Sequence, residues 1–212
     1  GYSIVNKLIG RPVVIKTSFP KFCFSAKINL RNFMQSMKKG IALVTGGSKG
    51  IGRALCLRLA QTGYQVFSAS RSSKLDSEID GITQLSVDLS DGTATQSFAR
   101  EFIEQYGIPD ILVNNAGYGA FFEWGEFPEE EINRQIQVLF SSPIQLCRVF
   151  APAMSKKGMG LILNLSSLAT LYPLPYMPLY NAGKSALSSF TESMLLEYPN
   201  YPKFIDFRMG DV

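Results

Sequence analysis

The chain contains no histidine. Proton transfer near neutral pH must therefore come from tyrosine, lysine, cysteine or a carboxylate, and a Ser-His-Asp triad is excluded. Cysteine is scarce too. Cys23, Cys56 and Cys147 lie far apart with no C-x-x-C pair, which argues against a disulfide framework or a zinc site and suits a reducing compartment. No apolar run is long enough to span a bilayer, so neither a membrane nor a bound metal is expected. Acids are missing from residues 1–39, which hold Lys7, Arg11, Lys16, Lys21, Lys27, Arg31, Lys38 and Lys39. The remainder carries 13 basic against 17 acidic residues. The net charge of +4 thus belongs to the leader and is no sign of nucleic-acid binding. A phosphate-binding P-loop is absent as well: the Gly-Lys-Ser of Gly183 to Ser185 has Pro178 where the first glycine is required.

The leader admits two readings. Basic, serine-containing and acid-free, it resembles a transit peptide. Against that, it starts with Gly1, lacks a clear amphipathic pattern and runs into Met37-Lys38-Lys39-Gly40 just before the first strand, where Met37 looks like a natural start. We read residues 1–38 as a poorly ordered upstream extension and 39–212 as one cytoplasmic domain. With 212 residues, 46% of them hydrophobic, there is enough chain for a large single core.

Ile41 to Val44 is a short, β-branched, glycine-bounded run that reads as a buried parallel strand. From Arg53 the period changes: Ala54, Leu55, Leu57, Leu59 and Ala60 fit one side of a helix that Gly63 ends. Between them lie Gly46, Ser48, Lys49, Gly50, Ile51 and Gly52. A turn that sharp lets backbone approach a pyrophosphate, with the helix N-terminus aimed at its charge. An ordinary strand-helix turn is the bland alternative.

Further strands are expected at Gln65–Arg71, Leu85–Leu89, Ile111–Val113, Leu161–Leu165 and Phe204–Phe207. Helices are expected from Asp91 to Tyr106, from Glu129 to Met154 with Pro143 and Pro152 kinking or bounding it, and from Tyr180 to Glu197. Strands alternating with helices imply a doubly wound parallel sheet of Rossmann type, a three-layer α/β/α single domain. NAD sites place an acid about 20 residues past the glycines to hold the ribose hydroxyls. Here that place holds Ser70 and Arg71, and a guanidinium attracts a 2′-phosphate instead. With Lys49 on the same side, NADP is the better reading, although Lys and Arg are commonly just solvated cations. Asp88, followed by Leu89, could accept from the adenine amino group or merely cap a turn. Asn114, Asn115, Ala116 and Gly117 could line a ligand crevice, or simply form a loop.

Tyr180 and Lys184 are four apart on one helix face. An ammonium held beside a phenol favours the phenolate, which makes the tyrosine a usable acid-base group. Ser167 closes the preceding strand and could fix a substrate oxygen. Singly, each has an ordinary explanation; their order after the glycine turn lifts the set.

The turn from Thr45 to Gly52, Asp88-Leu89, Asn114-Asn-Ala-Gly117, Ser166-Ser167 and Tyr180-Asn-Ala-Gly-Lys184 together resemble the short-chain dehydrogenase/reductases. The likeness runs from about Lys39 to the end of the chain. It implies hydride transfer between a nicotinamide and a carbonyl or alcohol carbon. Tyr180 would protonate the developing alkoxide, Lys184 would tune it and hold the ribose, and Ser167 would hydrogen-bond the oxygen. By the same likeness, Lys49 with Arg71 marks NADP-preferring members, and a homodimer or homotetramer would form through Glu129–Met154 and Tyr180–Glu197. Two departures stand out. Leu139 occupies the position of the family's relay asparagine, which motivates a rival reading as a non-enzymatic, nucleotide-binding regulatory protein. Met209-Gly210 replaces the family's Pro-Gly, and the substrate-covering segment and last strand are expected to lie beyond Val212. Phe121, Phe122, Trp124 and residues 171–178 are expected to flank the pocket, favouring an apolar small-molecule substrate.

Overall fold

The β-branched runs bounded by glycine and polar turns form one sheet of six strands, all parallel. A computed structural model of the protein describes residues 13–14, 27–28, 40–71 and 82–210. The expected disorder of the leader and the place of Cys23 lie outside the described residues, apart from a two-residue ladder pairing Val13–Val14 with Lys27–Ile28.

The strands are β1 (Ile41–Thr45), β2 (Gln65–Ser70), β3 (Ile82–Ser86), β4 (Ile111–Asn114), β5 (Leu161–Ser167) and β6 (Lys203–Met209), in the spatial order 3-2-1-4-5-6. The helices are α1 (Gly50–Gln61), α2 (Gly92–Tyr106), α3 (Glu129–Ile136), α4 (Ser142–Lys157) and α5 (Pro178–Glu197). Among the described residues, α1 covers one face through Leu55, Cys56 and Leu59, while α2, α4 and α5 cover the other. This is the expected Rossmann-type architecture. The second face is fixed by aromatic edges: Phe102 meets Phe67 at 5.1 Å and Phe150 at 5.8 Å between ring centres, both T-shaped, the geometry that ring quadrupoles favour. No helix among the described residues is long and apolar enough to cross a membrane.

Several element bounds differ from the sequence reading, two of them substantially. The third strand, expected at Leu85–Leu89, runs Ile82–Ser86. Its ladder ends where β2 ends, at the Ser70–Ser86 pair, so Val87 to Leu89 form the crossover instead. The long helix expected over Glu129–Met154 is split by a π-helical turn at Gln137–Ser141. Pro143, in the first turn of α4, has no N–H to give, and a wider turn before it removes the clash a continuous α-helix would meet. Elsewhere the helices begin earlier than expected: α1 at Gly50 and α5 at Pro178.

The chain leaves β1 towards β2 on one side and returns to β4 on the other. Their carboxyl ends therefore diverge, and a crevice opens there. Thr45 ties its walls together: its hydroxyl donates to the Val113 carbonyl and accepts from the amides of Asn115 and Ala116 at 3.0 and 3.1 Å.

Candidate active site

The crevice is a cleft of about 690 Å³. Fourteen further expected positions join Gly46 at its wall: Ser48, Lys49, Gly50, Ile51, Gly52, Ser70, Arg71, Asp88, Leu89, Ala116, Gly117, Ser167, Tyr180 and Lys184.

At one end lies the glycine turn. Gly46 has φ +66°, which an L side chain rarely adopts. A Cβ on Gly52 would collide with the Gly46 carbonyl oxygen, so the turn can close only on glycine. The first turn of α1 contains no acid, and the side chain of its N-cap residue, Lys49, makes no capping hydrogen bond among the described residues. Its leading N–H groups are left facing the cleft with the positive end of the helix dipole behind them. That cradle fits a pyrophosphate. Lys49 and Arg71, both exposed, stand at this end, and Arg134 from α3 adds a third cation to the lining.

Asp88 is held below the usual carboxylate range, chiefly by the Ser90 amide and hydroxyl, which donate to its Oδ1 at 2.9 and 2.7 Å, and further by the charges of Arg71 and Arg134. Of the two sequence readings, the turn cap is thus present, with Oδ1 engaged in it.

Asn114 does not line the cleft. Its amide points into the sheet and donates to Asn164 Oδ1 at 2.8 Å, and Asn164 in turn donates to Thr191 on α5 at 2.8 Å. The amide at the wall is Asn115, whose Nδ2 donates to the carbonyls of Thr45 and Gly46 at 2.9 and 3.1 Å and holds the glycine turn. The two neighbours are the same residue type, and only the end of the strand decides which turns outward.

At the other end are Ser167, Tyr180 and Lys184. Ser167 ends β5, and its Oγ accepts the Ala169 amide at 3.1 Å; the hydroxyl proton is left for another acceptor. Tyr180 lies in the first turn of α5, half-buried, with the Lys184 ammonium 5.9 Å from its ring centre. Lys184 is buried, and its Nζ donates to the Leu165 carbonyl at 2.6 Å. Burial pulls its ammonium down to about 8, opposed by the charge of Asp206. Asp206 on β6 accepts from the hydroxyls of Ser166 and Ser188 and from Arg208 Nε, and Arg208 also pairs with Glu192 at 2.9 Å. Nothing in the sequence marked this network, because its members come from two strands and a helix.

Leu139 is fully buried in the π turn. A Cβ on Gly117 would meet both its Cδ2, at 3.1 Å, and Lys184 Nζ, at 3.3 Å. The residue that departs from the family pattern therefore borders the ammonium and offers it no polar atom.

Comparison with known proteins accords with this arrangement. Residues 40–205 match the family model for short chain dehydrogenases. The 3-ketodihydrosphingosine reductase of Bacteroides thetaiotaomicron is 31% identical over 176 residues, 82% of this chain and 65% of that protein. The 1,6-dihydroxycyclohexa-2,4-diene-1-carboxylate dehydrogenase of Acinetobacter baylyi is 31% identical over 180 residues, 80% of this chain and 67% of that one. A solved metagenomic short-chain oxidoreductase in complex with NADP superposes with a TM-score of 0.74 at 30% identity, over 84% of each chain. The chain spans about two thirds of the length of these two curated relatives.

Proposed function

The chain belongs to the short-chain dehydrogenase family, and we propose that it transfers hydride between NADP(H) and a carbonyl or secondary alcohol. The observation that carries this reading is the Tyr180–Lys184 pair in the same cleft as the uncapped, acid-free N-terminus of α1. When bound, the dinucleotide would supply or accept the hydride. Gly46 to Gly52 would hold its pyrophosphate, and Arg71 with Lys49 its 2′-phosphate, bidentately at the guanidinium. In reduction, the Ser167 hydroxyl would donate to the carbonyl oxygen, and the Tyr180 phenol would give up its proton as negative charge develops there. Lys184 would balance that charge from one helical turn away and bind ribose hydroxyls. The NADP complex of the metagenomic structure supports the cofactor assignment by likeness.

The test is NADPH consumption over a panel of ketones and aldehydes, with NADH in parallel and Tyr180→Phe as control. Turnover that survives Tyr180→Phe undiminished would refute the tyrosine's role. Leu139 beside Lys184 favours a second reading, a nucleotide-binding regulatory protein that has lost proton supply. That reading predicts firm NADPH binding with no turnover of any carbonyl tried.

A further inference from the structure

Tyr180, Lys184, Ser188 and Glu192 recur every four residues along α5, a spacing that stacks their side chains on one helix face. Strand β6 brings two residues to that face. Asp206 and Arg208 are two apart, so their side chains leave the strand on the same side. Arg208 Nε donates to Asp206 Oδ2 at 2.8 Å, and its Nη2 donates to Ser188 Oγ at 2.8 Å and to Glu192 Oε1 at 2.9 Å. Ser188 Oγ closes a triangle by donating to Asp206 Oδ2 at 2.6 Å. The Ser166 hydroxyl takes the other oxygen, Oδ1. Asp206 thus receives three donors, and the cation it pairs with is Arg208.

Lys184 is bracketed by this assembly. Ser188 follows it by one helical turn, and Ser166 follows Leu165, whose carbonyl accepts from its Nζ. Charge alternates along the face, from the Lys184 ammonium to Asp206, Arg208 and Glu192. The titratable groups around the lysine are Tyr180 on α5, Asp206 on β6 and Tyr118, which follows Gly117 in the loop after β4. On its other sides, β5 gives it the Leu165 carbonyl and the π turn gives it Leu139, neither of them charged. Burial draws the ammonium down to about 8, and the Asp206 charge opposes that. A buried carboxylate free to move would pair with the neighbouring ammonium, because opposite charges attract strongly where water is excluded. Such a pair would compete with the Leu165 carbonyl for Nζ and hold the lysine charged far into the alkaline range. The donors on Asp206 prevent it, and among them Arg208 is the one that carries charge.

We propose that Arg208 is a positioning residue for Lys184: it retains Asp206 in the triangle with Ser188, so that the carboxylate acts on the ammonium without pairing with it. Lys184 is thereby left to the Leu165 carbonyl and to Tyr180. This rests on the reading of Lys184 as the partner of the reacting phenol. The experiment follows the 13Cε signal of Lys184 against pH in the cofactor-free protein, with the signal identified by its loss in Lys184→Met. The kcat/KM profile for NADPH-dependent reduction of the carbonyl panel is recorded alongside. Arg208→Met should raise the titration midpoint by about one pH unit, and the alkaline limb of the profile should follow it. Arg208→Lys, which restores the charge, should return both towards native. With Asp206→Asn also present, Arg208→Met should leave the midpoint nearly unmoved, because the two substitutions act on one link. Glu192→Gln keeps the triangle and frees Arg208 from its other acid, so the midpoint should fall by roughly a few tenths of a pH unit; it decides the matter if loss of Arg208 prevents folding. A midpoint that Arg208→Met does not move, an equal rise in the presence of Asp206→Asn, or no fall in Glu192→Gln overturns the proposal. Midpoints displaced as expected in a protein that reduces no carbonyl would sink the catalytic reading and leave the restraint of Asp206 standing.

Discussion

Lys184 holds its ammonium 5.9 Å from the centre of the Tyr180 ring while donating to the Leu165 carbonyl at 2.6 Å. The lysine is thus anchored to the end of β5 with its ammonium beside the Tyr180 ring, and the Leu139 side chain shares with it the space next to Gly117.

Tyr180→Phe should remove at least about a hundredfold of kcat, the range general acid-base catalysis supplies. It should leave the thermal melt close to native, because the half-exposed ring remains. Steady-state kinetics and a melt on the same sample check both halves.

Lys184→Met should raise the Tm of the cofactor-free protein at pH 7. Burial pulls the ammonium from 10.5 to about 8, so below about 8 the folded state carries the full cost of a buried charge, on the order of 3 kcal/mol. Between about 8 and 10.5 the unfolded chain binds more protons, and native stability recovers as pH rises. The gap in Tm between variant and native should therefore narrow across that window. Cys56 and Cys147, both pushed up to about 12 by burial, act oppositely above pH 9 but are common to both proteins, so they cancel in the comparison. A gap that widens would contradict the assignment.

Arg71→Asp should invert cofactor choice. Loss of a charged hydrogen bond to a 2′-phosphate costs about 1.5–3 kcal/mol, roughly ten- to a hundredfold in NADPH affinity, and the new carboxylate can accept ribose hydroxyls from NADH. Calorimetric titration with both cofactors measures the ratio; an unchanged ratio means that Arg71 does not touch the phosphate.

Asp206→Asn should move the alkaline limb of the kcat/KM profile to lower pH. The Asp206 charge helps Lys184 keep its proton, so its removal lets the lysine deprotonate earlier. Alkaline limbs that coincide in the two proteins would make Asp206 a purely structural partner of Arg208.

Gln135→Leu should stabilise. The side chain is fully buried on α3, with no hydrogen-bond partner among the described residues for either amide atom. An unsatisfied buried amide costs about 1–3 kcal/mol, so the melt should rise by several degrees. A fall would show that an ordered water satisfies the amide.

The periodic features were legible in the sequence because each depends on neighbours a few residues apart. Apolar runs between glycines became parallel strands, the 3.6 period became α1, and the steric demand for glycine at 46 and 52 marked the turn. Even the absence of histidine narrowed the chemistry to phenol, amine, thiol and carboxylate. Tertiary structure alone chose Asn115 over Asn114 for the crevice wall and sent the latter's amide to Asn164, 50 residues on. It brought Arg134 into the cleft, set Asp206 behind Lys184, and opened a π turn where Pro143 would have obstructed a continuous helix. It also brought two apolar loops, some 50 residues apart, together at the bond from the Phe122 amide to the Tyr176 carbonyl. The physical reason is that local sterics and periodicity are written into short windows, whereas which side chains meet across the sheet depends on strand order and register, and these are fixed only when the whole core closes.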